Sequence, residues 1–485
     1  MKKLTDILKN TPVREVCGDT AAAIGGLVYD SRAVKPGDCF FAVPGTQSDG
    51  HDYIPIAVEK GAAAIVCERM PADAAEGVAY VLVGDSAGAM ADMAAAFYDY
   101  PSRELKLVGI TGTNGKTTTA TLLYDLVRAM GYKAGLISTV VYKIDGREVE
   151  ATHTTPDSIR LNAMMREMAD AGCAYCFMEC SSHAIVQERT RGLDFAGGIF
   201  SNITHDHLDY HKTFAEYIRA KKLFFDGLPK GAFALTNADD RNGRVMVQNT
   251  AAAVSAYSLR AMADFRCKIV EMHLDGMLLR IDGQELWVGL LGRFNAYNLL
   301  AVYGAVALLG LDRGEVLRVL SMLHAVSGRF EKIRAANGTT AIVDYAHTPD
   351  ALENVIQTIE EIRTPGQQLI VVCGCGGDRD RTKRPEMAAI AVKYADLAIF
   401  TSDNPRTEDP EEILHDMVAG IESGSRYLKI TDRGDAIKTA VMLSEAGDII
   451  LIAGKGHEDY QIVGTEKHHF SDRECVAEWF AKFNR

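Results

Sequence analysis

The sequence predicts an α/β protein of three units: a small α/β unit over residues 1–102, a central unit with an open, largely parallel sheet over 103–326, and a third, doubly wound unit over 327–485. Three observations lead there. At 485 residues the chain is too long for a single core. Over residues 105–130 an apolar strand pattern runs into two glycines and then into helical spacing. Beyond that point apolar runs ending in polar residues alternate with helical stretches. Sheets built this way collect their ligands at the carboxyl ends of the strands.

In the first unit residues 27–32 read as a strand entering a loop, 38–43 as a strand, 53–60 as a short helix, 63–67 as a strand and 87–98 as an Ala-rich helix. The loop 45–51 is polar and bounded by glycines, and Tyr100-Pro101-Ser102 breaks the pattern and ends the unit. Read alone, Ser31 and Thr46, Gln47 and Ser48 are ordinary turn residues.

The central unit opens with Leu105, Leu107, Val108 and Ile110 as a buried strand, Gly112 and Gly115 as a tight turn, then Lys116, Thr117 and Thr118 and a helix over 120–130. Strand, glycine turn and helix N-terminus together form a phosphate cradle. The glycines let backbone N–H groups face an anion, the helix dipole adds positive potential, a lysine reaches the outer phosphates and a threonine hydroxyl can ligate Mg²⁺. The match to the phosphate-loop pattern is imperfect, because Ile110 stands where the first glycine belongs. Strands follow at 175–179, 198–203 and 232–237, with Glu179, Asn202 and His207 just beyond two of their ends. Residues 267–288 alternate around an Asp-Gly turn and read as a hairpin, and 295–309 as a helix.

The third unit has strands at 340–343, 369–373, 397–401 and 448–452. Each ends in a polar or glycine-rich loop: Asp344-Tyr345-Ala346-His347, Gly374 to Arg379, Ser402 to Arg406, and Ala453 to Glu458. Folding alone gives little reason for four such loops at one end of a sheet, whereas two facing sheets with a cleft between them do.

A formal charge of −13 argues against a nucleic-acid surface. No apolar run reaches the roughly 18 residues of a spanning helix, and the N-terminal charges sit too close together for a signal peptide. The ten cysteines fall in or beside apolar runs, and Cys173–Cys176 has no second pair to complete a metal site. They read as reduced core residues of a cytoplasmic enzyme.

Several polar residues admit two readings. Glu179 could ligate the same Mg²⁺ as Thr117 or cap the next helix. The His205–His211 stretch lacks zinc-ligand spacing and suits either a single histidine ligand beside a phosphate site or polar capping. Lys221, read alone, is a solvated basic residue on a helix.

The motifs T-G-T-N-G-K-T-T, T-T-P, E-C-S-S-H-A, N-I-T-H-D-H-L-D-Y-H, the Ala-Lys at 220–221, G-R-F-N-A-Y-N, S-G-R-F-E, D-Y-A-H-T-P-D and D-N-P-R occur in order over residues 29–458. In this the chain resembles the Mur ligases, and among them the MurE type, which adds the third residue of the peptidoglycan stem. The resemblance implies an N-terminal UDP-binding domain, a central P-loop-type ATPase domain and a C-terminal Rossmann-like domain that binds the amino acid. It also implies ATP on Gly112, Thr113, Asn114, Gly115, Lys116, Thr117, Thr118, Asn295, Asn298, Arg329 and Asp344, and Lys116, Glu179, His207 and Lys221 as the catalytic set. Two Mg²⁺ sites are implied, one on Thr117 and Glu179, the other on His207 and on Lys221 carried as a carbamate. UDP-MurNAc-L-Ala-D-Glu would meet Tyr29, Ser31, Thr46, Gln47, Ser48, His153, Thr154, Thr155, Ser181, Gln187 and Arg189.

The incoming amino acid would meet Arg379, Asp403, Asn404, Pro405, Arg406, Gly454 and Glu458. D-N-P-R is the form that looks like the meso-diaminopimelate enzymes. The second carboxylate of that amino acid suits a guanidinium, which lysine would leave unpaired. The implied reaction is phosphoryl transfer to the D-Glu γ-carboxylate followed by attack of the amine on the acyl phosphate. The implied partners are small molecules, with no nucleic acid, no membrane insertion and a monomeric state.

Overall fold

The computed structural model describes residues 1–45, 48–151, 153–422 and 424–483. Three separate main sheets run through it. In the first unit the sheet order is Val13–Cys17, Ala79–Val83, Ala64–Cys67, Cys39–Phe41 and Leu27–Val28, parallel except for the first strand. The strand expected over 27–32 stops at Val28. Asp30 accepts the N–H of Arg32 and starts a 3₁₀ turn at Ser31–Ala33, so the local Asx cap wins over strand continuation.

The central sheet has eleven strands. Seven parallel neighbours form its body: Ala134–Ile137, Tyr175–Glu179, Lys106–Thr111, Gly197–Phe200, Phe233–Asn237, Ala253–Ser258 and Phe265–His273. Antiparallel strands extend both edges, Val141–Ile144 and Arg147–Glu150 at one, Gly276–Ile281 and Gln284–Val288 at the other. The expected hairpin over 267–288 is therefore a three-stranded meander. Its second turn is Asp282-Gly283, both with positive φ (47° and 83°), the geometry a two-residue hairpin turn needs. The strand expected over 198–203 ends at Phe200. The helix expected from 120 starts at Lys116.

The third sheet runs Glu331–Arg334, Thr340–Asp344, Ile449–Ala453, Leu369–Cys373, Leu397–Phe400 and Tyr427–Lys429, parallel after its first strand. Every residue of Thr340–Asp344, Leu369–Cys373 and Ile449–Ala453 is buried, as befits strands covered on both faces. The ten cysteines are unpaired and eight of them are buried, so they pack as small apolar residues. Among the described residues no helix is long and apolar enough to cross a membrane.

Candidate active site

The strand Lys106–Thr111 lies in mid-sheet, with Tyr175–Glu179 on one side and Gly197–Phe200 on the other. The chain moves first to one side of it and later to the other, and the carboxyl end of such a strand opens into a crevice. Ile110 is fully buried within this strand, so the loop opens at Gly112 instead of at the usual first glycine. A Cβ on Gly112 would stand 1.9 Å from Ser201 Oγ, and one on Gly115 (φ 87°) 2.5 Å from Asn298 Oδ1. Thr113 N–H donates to the Asn202 carbonyl (2.8 Å) and Asn114 N–H to Asn202 Oδ1 (2.9 Å), which pins the loop against the neighbouring strand end. The first-turn N–H groups of the helix Lys116–Ala129, at Lys116, Thr117 and Thr118, have no acceptor within the helix and are free for an anion.

Two lysines converge on this loop. Lys116 Nζ donates to the carbonyls of Gly112 (3.0 Å) and Thr113 (2.9 Å), and Lys221 Nζ donates to the same Gly112 carbonyl at 2.7 Å. Lys221, on the helix Phe214–Asp226, is 1% exposed, so its reading as a solvated basic residue fails. The cause lies on the sheet. Phe224 of the same helix fills the space where Gly109 and Gly198 would carry side chains (2.5 and 2.7 Å), which lets the helix lie close. Burial, reinforced by the charge of Lys116, drives the Lys221 amine well below its ordinary pKa; Asp206 opposes this only in part. The Tyr217 ring lies 4.6 Å from Lys221 Nζ, and its hydroxyl shares a hydrogen bond with Thr113 Oγ1 (3.2 Å).

Glu179, fully buried, accepts from the N–H (2.7 Å) and hydroxyl (3.2 Å) of Thr139. It caps no helix: Ser181 caps Ser182–Val186 through Ala184 N–H (3.2 Å). Glu179 and Asp206 are the carboxylates whose charge acts on Lys116. His207 has a left-handed backbone (φ 54°), and its Nε2 lies 3.3 Å from Asp206 Oδ2. Burial pushes the imidazole well below its usual pKa, with Asp206 opposing, so the ring is neutral and keeps a lone pair for a cation. Among the described residues no cluster of three or more His, Cys, Asp or Glu is arranged to hold a metal. The donors here instead suit Mg²⁺, which takes one or two carboxylates and completes its shell with phosphate oxygens and water.

The third unit reaches into the loop. Arg329 Nη2 donates to Thr117 Oγ1 (3.2 Å), the guanidinium lies 4.5 Å from the centre of the Tyr345 ring, and its buried Nε has no partner. Asp344, buried, accepts from Phe330 N–H (2.7 Å) and Ala346 N–H (2.8 Å), and burial raises its pKa. Asp350 accepts from Asn114 Nδ2 (2.8 Å) and Thr204 Oγ1 (3.3 Å). On the helix Arg293–Leu308, Asn295 and Asn298 are buried and bonded to each other (3.1 Å), with Asn298 facing Thr119 (3.4 Å).

A second group lies along the edge toward the first unit. Thr154 accepts from Thr139 (3.1 Å), Thr155 donates to the Glu179 carbonyl (2.7 Å), and the His153 carbonyl accepts from Tyr142 (2.5 Å). Arg189 donates to the Thr155 carbonyl (2.7 Å) and to Gln187 Oε1 (2.6 Å). Arg191 is instead held by Asp92 (2.9 Å) and Asp85 (3.4 Å) of the first unit, which makes Arg189 the arginine on the Thr155 side. Tyr29 stands half exposed, close enough to Asp157 and Arg189 for their charges to act on it, and Ser31 is buried beside it. Ser48 is bound to its loop through its carbonyl and Gly45 N–H (2.9 Å); Thr46 and Gln47 lie outside the described residues.

The D-N-P-R loop is a network in itself. Asn404 donates to Glu458 (2.9 Å) and accepts from Lys455 (3.2 Å) and Ile462 N–H (2.9 Å); Gln461 donates to the Asp403 carbonyl (2.6 Å). Arg406 is left-handed (φ 51°), a costly conformation for a non-glycine residue. Its N–H and carbonyl bond Ile462 (3.1 Å) and Gly464 (2.7 Å), and its Nη1 donates to the Gly377 carbonyl (2.9 Å). Pro405 packs its carbonyl against Gly377, Arg379 is exposed, and a cleft of about 410 Å³ lined by Asp378, Arg379, Asp380, Arg381 and Glu408 opens alongside. Gly454 (φ 120°) packs on Asp403, whose Oδ2 would be 2.6 Å from a Cβ there. Tyr345 joins the two halves, with Arg329 on one side and Glu458 and Asp403 near enough on the other to act on its hydroxyl.

Three Mur ligase models match the chain: the Mur ligase family catalytic domain over residues 23–98, the Mur ligase middle domain over 110–306 and the glutamate ligase domain over 328–456. A UDP-N-acetylmuramoyl-L-alanyl-D-glutamate–2,6-diaminopimelate ligase of Phocaeicola vulgatus is 55% identical, with 99% of each chain covered. The chain belongs to the Mur ligase family. A relative of the same description from Chlorobaculum tepidum is 43% identical over 96% of this Mur ligase and 94% of the other. A solved structure of that description superposes with a TM-score of 0.71 at 32% identity, covering 100% and 99% of the two chains.

Several residues of this Mur ligase's site carried no assignment from sequence: Asp350, Tyr217, Thr139, Lys455 and the hairpin Tyr460–Val463 with Glu466–His469. Asp350 closes the D-Y-A-H-T-P-D motif and was legible as part of it. Gln461 and Ile462 act through one amide and one backbone group, which no residue pattern marks.

Proposed function

We propose that this Mur ligase is the ATP-dependent enzyme that adds meso-2,6-diaminopimelate to the D-Glu γ-carboxylate of UDP-MurNAc-L-Ala-D-Glu, at the cytoplasmic stage of peptidoglycan precursor synthesis. The observation that carries this reading is the chain of contacts Thr117–Arg329–Tyr345, which runs from the phosphate loop to the strand ends of the third sheet, where the charges of Glu458 and Asp403 act on Tyr345. Relatives of matching length and high identity bear that activity in their names.

Residues 1–102 would hold the uridine nucleotide through Tyr29, Ser31 and the 46–48 loop, 103–326 the ATP, and 327–485 the amino acid. His153, Thr154, Thr155, Ser181, Gln187 and Arg189 would line the path of the muramoyl dipeptide. Gly112 to Thr118, with Arg329 and Asp344, would receive the triphosphate, and Asn295 and Asn298 would flank the adenine side. The first-turn N–H groups of Lys116, Thr117 and Thr118 and the unpartnered Arg329 Nε fit a polyanion. Thr117 and Glu179 are the residues that would hold one Mg²⁺, and His207 with a carbamate on Lys221 a second; bound there, the ions would offset the charge of phosphates and carboxylate. Burial favours the neutral Lys221 amine, the form whose lone pair can add to CO₂ with loss of a proton.

An oxygen of the D-Glu γ-carboxylate attacks the γ-phosphorus of ATP; the β–γ bond breaks and ADP leaves. The amine of diaminopimelate then attacks the acyl carbon, the C–O bond to phosphate breaks, and the amine proton goes to solvent or phosphate. Lys116 and Arg329 hold the phosphates in line, and Arg406 with Arg379 grips the carboxylates of the amino acid while Asp403 and Glu458 face the ammonium group at its far end. Phosphate release with ATP and UDP-MurNAc-L-Ala-D-Glu, offered diaminopimelate, lysine and glutamate in parallel, tests the reading. Turnover with diaminopimelate far above the other two is expected; preference for lysine or glutamate refutes it.

A further inference from the structure

The helices Arg433–Leu443 and Asp472–Lys482 each begin on a charged residue that is at most 1% exposed. Arg433 Nε and Nη2 grip the two oxygens of Asp472 at 2.6 and 2.8 Å, and Nη2 also donates to the Ala453 carbonyl at 3.0 Å. As a device for stability this pair is poorly designed. A cation in the first turn of a helix opposes the dipole. The buried Nη1 has no partner, which costs stability. Apolar residues of similar volume are commonly at least as stable as such a pair. Local rules broken in this way point to a site.

The third bond shows which site. Ala453 ends the strand Ile449–Ala453 and hands the chain to Gly454, whose left-handed turn (φ 120°) leaves room for the Asp403 carboxylate. Arg433 Nη2 lies 3.9 Å from the place a Gly454 Cβ would take, and Asp403 Oδ2 lies 2.6 Å from that same point. The guanidinium and the Asp403 carboxylate thus both lie against the Gly454 turn, and the Asp403 charge acts on Arg433. Asp403 is itself buried, with no ion-pair partner among the described residues.

We propose that the buried Arg433–Asp472 pair is a positioning device for the amino-acid subsite, fixing the Ala453–Gly454 turn and the Asp403 carboxylate in the arrangement that receives an amino acid bearing ammonium and carboxylate at its far end. The inference rests on the substrate reading above and adds to it two residues that touch no substrate. Asp472 fixes the guanidinium plane, Arg433 fixes the turn and faces Asp403, and Asp403 meets the ammonium.

The test pairs Arg433→Met/Asp472→Leu with Arg433→Lys, each assayed in the full chain for the KM of diaminopimelate and of ATP. The double variant removes both buried charges together and is expected to melt close to wild type, yet to show a KM for diaminopimelate raised at least tenfold with the KM for ATP held within about twofold. A double variant with a wild-type KM for diaminopimelate overturns the proposal. Should it fail to fold, Arg433→Lys decides. Lysine keeps the charge but cannot reach Asp472 and Ala453 together, so a raised diaminopimelate KM supports the proposal and an unchanged one refutes it. The wild type separates this from the substrate reading. If it uses lysine or glutamate in place of diaminopimelate, that reading falls, and the same variants are scored on the KM of whichever amino acid is used.

Discussion

Lys221 and Arg406 are the single residues on which the account bears hardest, and both are held at a cost. A buried ammonium with a second lysine on the same carbonyl is disfavoured unless the amine is neutral or converted to something else. Lys221→Ala is expected to lower ligation by about 10²–10³-fold or more, the range seen when a preorganised charge is removed, and added bicarbonate should not restore it. Full activity in that variant, by phosphate release, refutes the role given to Lys221. Arg406 spends left-handed backbone strain to hold its guanidinium at the D-N-P-R loop. Arg406→Ala should raise the KM for diaminopimelate more than tenfold and narrow its preference over lysine, as expected when one partner of a buried charge pair is removed; unchanged selectivity would place specificity elsewhere. The burial of Lys221 could not be read from its own segment, where two adjacent lysines suggest a solvated face. It follows from Gly109 and Gly198, on two strands distant in sequence, which admit Phe224.

At the scale of elements, the phosphate loop and the four loops of the third sheet were legible because each is a local pattern: apolar strand, glycine or acid at the strand end, helix after it. Ile110 disguised the loop, since burial in the strand moved the opening two positions on, to Gly112. The edge strands Val141–Ile144 and Arg147–Glu150 and the hairpin after Glu458 were not legible, being short and held mainly by backbone pairing. That hairpin matters, because its backbone fixes Asn404 and Arg406. Gly115→Ala tests the loop as an element. With φ at 87° and Asn298 Oδ1 at 2.5 Å, the methyl group should cost about 1–3 kcal/mol and raise the KM for ATP more than that for diaminopimelate. Equal effects on both would show a general loss of fold.

At the scale of the molecule, the three units meet through packed apolar side chains and ion pairs such as Arg191–Asp92 and Arg293–Glu361, and also through side chains of the site. Asp350 crosses from the third unit to Asn114 and Thr204, as Arg329 crosses to Thr117. Asp350→Ala should raise the KM for ATP severalfold and enlarge the radius of gyration in solution scattering with nucleotide bound; an unchanged radius and KM would show that the contact does not hold the units together. His347 sits at the same junction, where burial pushes its pKa from 6.5 down to about 4, so the folded protein keeps it neutral while the unfolded chain takes up a proton. Stability should therefore fall as the pH is lowered from about 6.5 to 4, and His347→Gln should lessen that fall in urea midpoints measured at pH 7 and 4.5. The most direct measurement of the whole account follows one oxygen atom. With ¹⁸O in the γ-carboxylate of UDP-MurNAc-L-Ala-D-Glu, and ATP and diaminopimelate supplied, the released phosphate is expected to carry one ¹⁸O per turnover by mass spectrometry; phosphate free of label would contradict activation of that carboxylate as an acyl phosphate.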